Sequence, residues 1–172
     1  MHLDQKVSLK SLNTFGFDVT ARYFVEAKSR DDIHTLLHYR NMIFLPVLII
    51  GGGSNILFTG DFHGLVVHVN NKGMSVVSED EDQATVTVQA GEKWDDVVRY
   101  TVDHNLQGLE RLSLIPGTTG AAPVQNIGAY SSEVRESILS VSYVDIKTGH
   151  HHIINNQDCR FGYRDSVFKN GL

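Results

Sequence analysis

Sixteen consecutive residues, Ile115–Tyr130, contain three glycines and two prolines but no charged side chain. That mixture cannot make a regular helix or strand, because proline removes a backbone donor and fixes φ while glycine raises the entropic cost of order. It is also too apolar for a solvated linker. The reading is a fixed loop packed against something flat. Long loops without structure of their own are usually functional, the plainer alternative being a buried crossover between sheets.

The segments around this loop read as α+β. Thr20–Ala27 favours a strand through Tyr23, Phe24 and Val25. A helix follows from Ser29 to Arg40, with Ser29 and Asp32 in a capping-box pattern and Ile33, Leu36 and Leu37 at helical spacing. Pro46 opens a buried strand, Val47–Ile50, and Leu65–Val69 is another, giving a small βαββ unit over residues 1–70. Residues 71–172 change character. Met74–Val77 and Thr85–Ala90 are short strands around the acidic turn Glu79–Asp82, the second alternating Thr85, Thr87 and Gln89 with Val86, Val88 and Ala90. Trp94, Val97, Val98, Thr101 and Val102 recur with helical period, Asp95 and Asp96 sit where the helix dipole favours acids, and Asn105 is a left-handed stop. Ser140–Ile146 and His151–Ile154 are the arms of a hairpin around Lys147, Thr148 and Gly149. The halves meet near Asn70–Gly73, with the glycine-rich loops close to that junction, where pockets often lie.

Fifteen Lys plus Arg against twenty Asp plus Glu give a net charge of -5 and no basic stripe, which argues against nucleic acid. The apolar run ending at Ile50 is too short to span a bilayer, and Met1–Lys10 lacks the basic-then-apolar order of a signal peptide, so the expected compartment is the cytoplasm, with no membrane partner. Cys159 has no partner for an internal disulfide and reads as an inert packing residue. His150, His151 and His152 alternate faces on a strand, so no metal site is expected.

Three segments carry chemistry. Gly51, Gly52, Gly53, Ser54, Asn55, Ile56 and Leu57 follow a strand, and missing Cβ atoms let backbone N–H groups approach an anion. A Rossmann turn would need a third glycine near Ile56 and a helix there, and a P-loop would need Gly-Lys-Ser/Thr; neither is present. A tight turn between strands explains the same residues equally well. In the second segment Ile115, Pro116, Gly117, Thr118, Thr119, Gly120, Ala121, Ala122, Val124, Gln125, Asn126, Ile127 and Gly128 offer backbone donors to a pyrophosphate and the edge of a planar ring, with amide bonds from Gln125 and Asn126. In the third, Arg160 and Arg164 stand four apart with Tyr163 and Asp165 beside them, an arrangement that holds an anion if Asp165 orients a guanidinium; surface ion pairing is the common alternative.

Taken in this order, with Asn13-Thr14-Phe15-Gly16 ahead of them, the segments resemble the UDP-N-acetylenolpyruvoylglucosamine reductases, the MurB family. The resemblance covers essentially the whole chain. It implies a two-subdomain FAD-binding fold of the vanillyl-alcohol oxidase / PCMH type, α+β in class and truncated before the substrate-binding domain. It implies non-covalent FAD at Gly51–Leu57 and Ile115–Gly128, NADPH as reductant, and an enolpyruvyl UDP-sugar reduced to UDP-N-acetylmuramate for peptidoglycan. Arg164 would be catalytic, Tyr163 and Tyr130 would bind substrate, and Arg160 would support the loop. The family's serine proton donor and C-terminal glutamate have no counterpart here, so the expectation is a fragment inactive alone, monomeric or weakly self-associating through an exposed edge. Ala121 and Ala122 stand where some relatives have serines, leaving only backbone donors. The competing readings are a non-catalytic nucleotide- or protein-binding module and an FAD-dependent oxidase of the wider superfamily, which often tethers flavin through His or Cys, although nothing places His63, His68 or Cys159 for such a link.

Overall fold

The structure, a computed structural model, describes residues 1–42 and 45–170, with side chains described outside 37–42 and 170. The expected part of Leu37 in a helical stripe, and any reading of Gly171 and Leu172, lie outside those described residues. The chain forms two compact units, Met1–Lys72 and Gly73–Leu172. No helix among the described residues is long and apolar enough to cross a membrane.

In the first unit the strands β1 (Asp4–Ser8), β2 (Thr20–Ala27), β3 (Val47–Ile50) and β4 (Phe62–Val69) form one sheet in the order β1-β2-β4-β3. β2, β4 and β3 are parallel, and β1 adds an antiparallel edge to β2. Alternation along the strands sorts the side chains to two faces. Val25, Ala27, Leu65 and Val67 pack with Ile33 and Leu36 of α1 (Arg30–Met42). Ala21, Val66 and Ile50 pack on the other face with Leu9, Leu12, Ile56 and Phe58. Fully burying a side chain such as Leu65 or Val25 contributes roughly 1.5–3 kcal/mol. α1 starts where the capping pattern placed it: the Asp32 N–H donates to Ser29 Oγ at 3.1 Å, and Ser29 N–H returns a bond to Asp32 Oδ2 at 3.0 Å. β1 was not expected, and β4 begins at Phe62 rather than Leu65.

The second unit holds α2 (Trp94–Asp103), whose buried face is Trp94, Val97, Val98 and Thr101. Trp94 and Val98 pack with Leu112, Ala122, Ile127 and Val134. Beyond α2, Asn105 adopts φ 57, the left-handed stop its sequence position suggested. Pairing is antiparallel in separate two-stranded ladders: β5 (Met74–Glu79) with β6 (Ala84–Val88), β7 (Gly128–Ala129) with β8 (Ser132–Glu133), and β9 (Ser140–Val144) with β10 (His151–Asn155). β6 ends before Gln89 and Ala90, which were expected to continue it: the Gln89 N–H makes one more in-register bond, to Gly73 O at 2.9 Å, and its carbonyl then accepts the Glu92 N–H at 3.1 Å in a turn.

Candidate functional site

In the first unit the glycine loop leaves β3 at its carboxyl end, where open parallel sheets place their ligands. No helix follows. Gly53 is buried, with φ +66, and its Cα sits so close to the Leu12 carbonyl that a Cβ would lie inside it. Its own carbonyl accepts the Thr14 N–H at 3.2 Å, and Asn13 closes the adjoining turn by donating to Leu9 O at 2.8 Å and Phe17 O at 3.0 Å. The Asn13–Phe17 turn and the Gly51–Gly53 turn are thus one fixed body. Gly52, Asn55 and Leu57 are exposed on it, while Gly51, Ser54 and Ile56 are half-buried.

In the second unit the long loop is tied along one side. Trp94 N–H donates to Gly117 O at 3.1 Å, Thr119 N–H to Glu92 O at 2.9 Å and Gly120 N–H to Ala90 O at 2.8 Å. A Cβ on Gly120 would come within 2.6 Å of the Ala90 Cβ, so glycine is what permits the approach. A 3-10 turn at Thr119–Ala121 follows. Ile115 packs against the Trp94 core, Thr118, Ala122, Asn126 and Ile127 are buried, and Pro116, Gly120 and Ala121 are exposed. Val124 O accepts the Ser166 hydroxyl at 2.7 Å. One side of the loop is therefore held by the protein, while its exposed residues before Tyr130 are the small Pro116, Gly120 and Ala121.

Arg164 is brought to the end of this loop. Gly162 and Asp165 pair by backbone bonds of 2.9 and 3.3 Å, making a two-residue turn of Tyr163 and Arg164, with Arg164 at φ 51. Arg164 Nη1 donates to Asn126 O at 3.3 Å and Nη2 to Gly128 O at 2.6 Å. Carbonyl dipoles thus orient the guanidinium, and the backbone pairing of Asp165 with Gly162 closes the turn that carries it. A carbonyl fixes the fork without cancelling its charge, and a guanidinium has five donors, so it keeps both charge and donors for an anion. Tyr163, stacked 5.3 Å from the guanidinium carbon, is 84% exposed, and Tyr130 is 85% exposed. Tyr130 and Ser131 have φ 49 and 64, the two left-handed residues of a type I′ turn joining β7 to β8.

Two supports escaped the sequence reading. Lys169 Nζ donates to Arg164 O at 2.9 Å, and Ser166, 2% exposed, also accepts the Phe168 N–H at 3.2 Å. Ser166 was recoverable as a cap before the short helix α3 (Val167–Asn170); nothing in the spacing flagged Lys169. Arg160 closes a separate 3-10 turn, Asn156–Cys159, at φ 48. Cys159 is fully buried, and burial pushes its thiol pKa up, with Asp158 adding to the shift, which makes it a poor nucleophile. His68 lies in β4, its pKa lowered by burial against the opposing pull of Glu26.

The comparisons with known proteins follow the same outline. A family model described as "FAD binding domain" matches residues 21–155. The UDP-N-acetylenolpyruvoylglucosamine reductase of Pseudomonas syringae pv. syringae (strain B728a) is 47% identical over 169 residues, 98% of this chain and 50% of that protein. The same-named protein of Flavobacterium johnsoniae is 42% identical over 170 residues, 99% of this chain and 50% of its own. The chain spans about half the length of the curated relatives it matches. Among solved structures, UDP-N-acetylenolpyruvylglucosamine reductase (MurB) from Thermus caldophilus aligns with TM-score 0.75 at 24% identity, covering 96% of this chain and 57% of that one. A VAO-type flavoprotein from Myceliophthora thermophila C1 aligns with TM-score 0.57 at 16% identity, covering 78% and 26%. The fold is the one these flavoproteins share, and with the family model matched across most of its length, the chain belongs to the FAD-binding domain family.

Proposed function

We propose that this chain is the FAD-binding part of a UDP-N-acetylenolpyruvoylglucosamine reductase, which uses NADPH to convert the enolpyruvyl UDP-sugar to UDP-N-acetylmuramate for peptidoglycan. In this reading the protein works in the bacterial cytoplasm, in the supply of wall precursors on which cell shape and division depend. Residues 1–70 and 71–172 are its two FAD-binding subdomains. The observation that carries the reading is the Arg164 guanidinium, fixed by the carbonyls of Asn126 and Gly128 at the end of the glycine-rich loop and beside an exposed tyrosine.

FAD, when bound, supplies hydride-transfer chemistry. The chain's own residues do the rest. Gly51–Leu57 and Ile115–Gly128 hold the cofactor through backbone N–H groups and small side chains, without a covalent link. Tyr163 and Tyr130 bind the substrate. Arg164 meets the negative charge that develops on the enol and carboxylate oxygens, and a donor already fixed before the reaction stabilises that charge without reorganising. In this reading the chain is a monomer or a weak self-associate.

The test is an FAD titration of the purified chain, followed by flavin absorbance and acid release. Saturable, acid-releasable binding is expected. A well-folded chain that shows no saturable binding, or that retains flavin through acid, refutes the assignment.

A further inference from the structure

We infer that Asn126 is a positioning residue for Arg164, holding its guanidinium and the start of the turn that carries it at once. The inference rests on the functional reading above only in treating Arg164 as the reacting guanidinium. Asn126 is fully buried, with φ 44. Its Nδ2 donates to Gly162 O at 2.9 Å, which fixes the first residue of the turn carrying Tyr163 and Arg164. Its Oδ1 accepts the Arg135 N–H at 3.2 Å, which fixes the amide itself against the segment after β8. Its main-chain oxygen then accepts Arg164 Nη1 at 3.3 Å. One residue therefore sets the start of the turn through its side chain and the guanidinium through its backbone.

The chemistry singles out asparagine. The left-handed region is costly for most side chains and is visited by glycine, asparagine and aspartate. Only the amide among these offers a donor and an acceptor on one short side chain. Aspartate would turn an oxygen toward Gly162 O, and glycine would keep the backbone and lose both amide bonds. Gly128 completes the device, since a Cβ there would stand 3.0 Å from Arg164 Nη1 and 2.6 Å from Ser132 O. The Asn126 amide, expected to bond the cofactor, is instead engaged on both atoms inside the protein.

The experiment is hydrogen exchange of the arginine side-chain N–H groups in the full 15N-labelled chain, with Arg164→Lys used to assign the Arg164 signals. In the unsubstituted chain Arg164 should exchange slowly, and the Asn126 amide protons should show nuclear Overhauser contacts to the Gly162–Tyr163 backbone. In Asn126→Gly, judged folded by its dispersed amide spectrum, Arg164 exchange should accelerate by roughly tenfold, the effect of losing the bonds that orient it. Arg99, Arg111 and Arg160 should not change, which separates loss of positioning from general loosening. If the glycine variant does not fold, Asn126→Asp carries the same comparison. Unchanged Arg164 exchange in either folded variant, or absence of the contacts in the unsubstituted chain, overturns the inference. The readout needs no flavin. A chain that binds no FAD yet frees Arg164 on substitution removes the proposed function and keeps this inference, and the opposite pair of results does the reverse.

Discussion

Gly53, Gly16 and Gly60 form a natural series for measuring what the glycine loop tolerates. Gly53 and Gly16 share φ +66, yet a Cβ on Gly53 would lie inside the Leu12 carbonyl and 3.1 Å from the Asn13 Cα, whereas one on Gly16 would meet nothing within 4 Å. Gly60 has neither a left-handed φ nor a neighbour within 4 Å. Gly60→Ala should therefore be neutral or stabilise by up to about 1 kcal/mol through the unfolded chain. Gly16→Ala should cost about 1–2 kcal/mol, the left-handed penalty alone. Gly53→Ala adds overpacking against rigid backbone, about 1–3 kcal/mol, and strain on the Thr14 bond to Gly53 O, so about 3–5 kcal/mol in all. That is a large share of a typical domain's stability of about 5–15 kcal/mol. The assay is urea unfolding followed by far-ultraviolet circular dichroism, comparing midpoints at equal slope. A Gly53→Ala chain as stable as Gly16→Ala would refute the claim that the two turns are locked by contact.

On the proposed function, Arg164→Ala should lower reductase turnover by roughly a hundredfold or more, as removing one oriented donor to a developing oxyanion does elsewhere, and wild-type turnover would remove Arg164 from that mechanism. The Glu26 carboxyl is held below its ordinary pKa, first by the Asn70 amide at 2.6 Å and then by Lys28, so it contributes stability above the unfolded carboxylate pKa that is lost as pH falls through its folded value. His68 has the same sign: buried neutral, it takes up its proton more readily unfolded, so stability should begin to fall below the ordinary histidine pKa. In acid titrations Glu26→Gln should weaken the lower step and His68→Asn the upper, and unaltered profiles would count against both. Asp95→Ala should cost about 1 kcal/mol in thermal or urea unfolding, because Asp95 Oδ1 accepts the Leu114 N–H at 2.8 Å and its charge favours the first turn of α2.

What could be read from the sequence was what is decided locally. The α2 face, apart from the exposed Val102, the Ser29–Asp32 cap and the Asn105 stop depend on residues within one or two turns, and their patterns sufficed. β1 could not be seen, since Asp-Gln-Lys-Val-Ser has no clean alternation and becomes a strand only by pairing Asp4 with Phe24 across the chain. Phe62–Gly64 were hidden by the glycine, which is there because a Cβ would press on the Pro46 carbonyl. The Tyr130–Ser131 turn lacks the Asn-Gly signature of its type. At the site, glycine, proline and small residues set the loops apart in the sequence, whereas Arg164 was told from Arg160 only by the resemblance. Its internal wiring was not, because the Asn126 amide reaches a carbonyl thirty-six residues away, and no spacing rule encodes such a bond.

Trp94 is the chain's one tryptophan, and it is bonded to the long loop at its backbone and to the turn just before the loop at its indole. Its backbone N–H is bonded to Gly117 O, its indole N–H to Leu112 O at 2.7 Å, and its ring is buried against Ala122 and Ile127. The molecule therefore carries its own optical probe at the segment that matters, with no competing indole to subtract. Any displacement of the loop, by a ligand or by a neighbouring substitution, should alter the emission of that ring, so the loop can be followed in real time without a label.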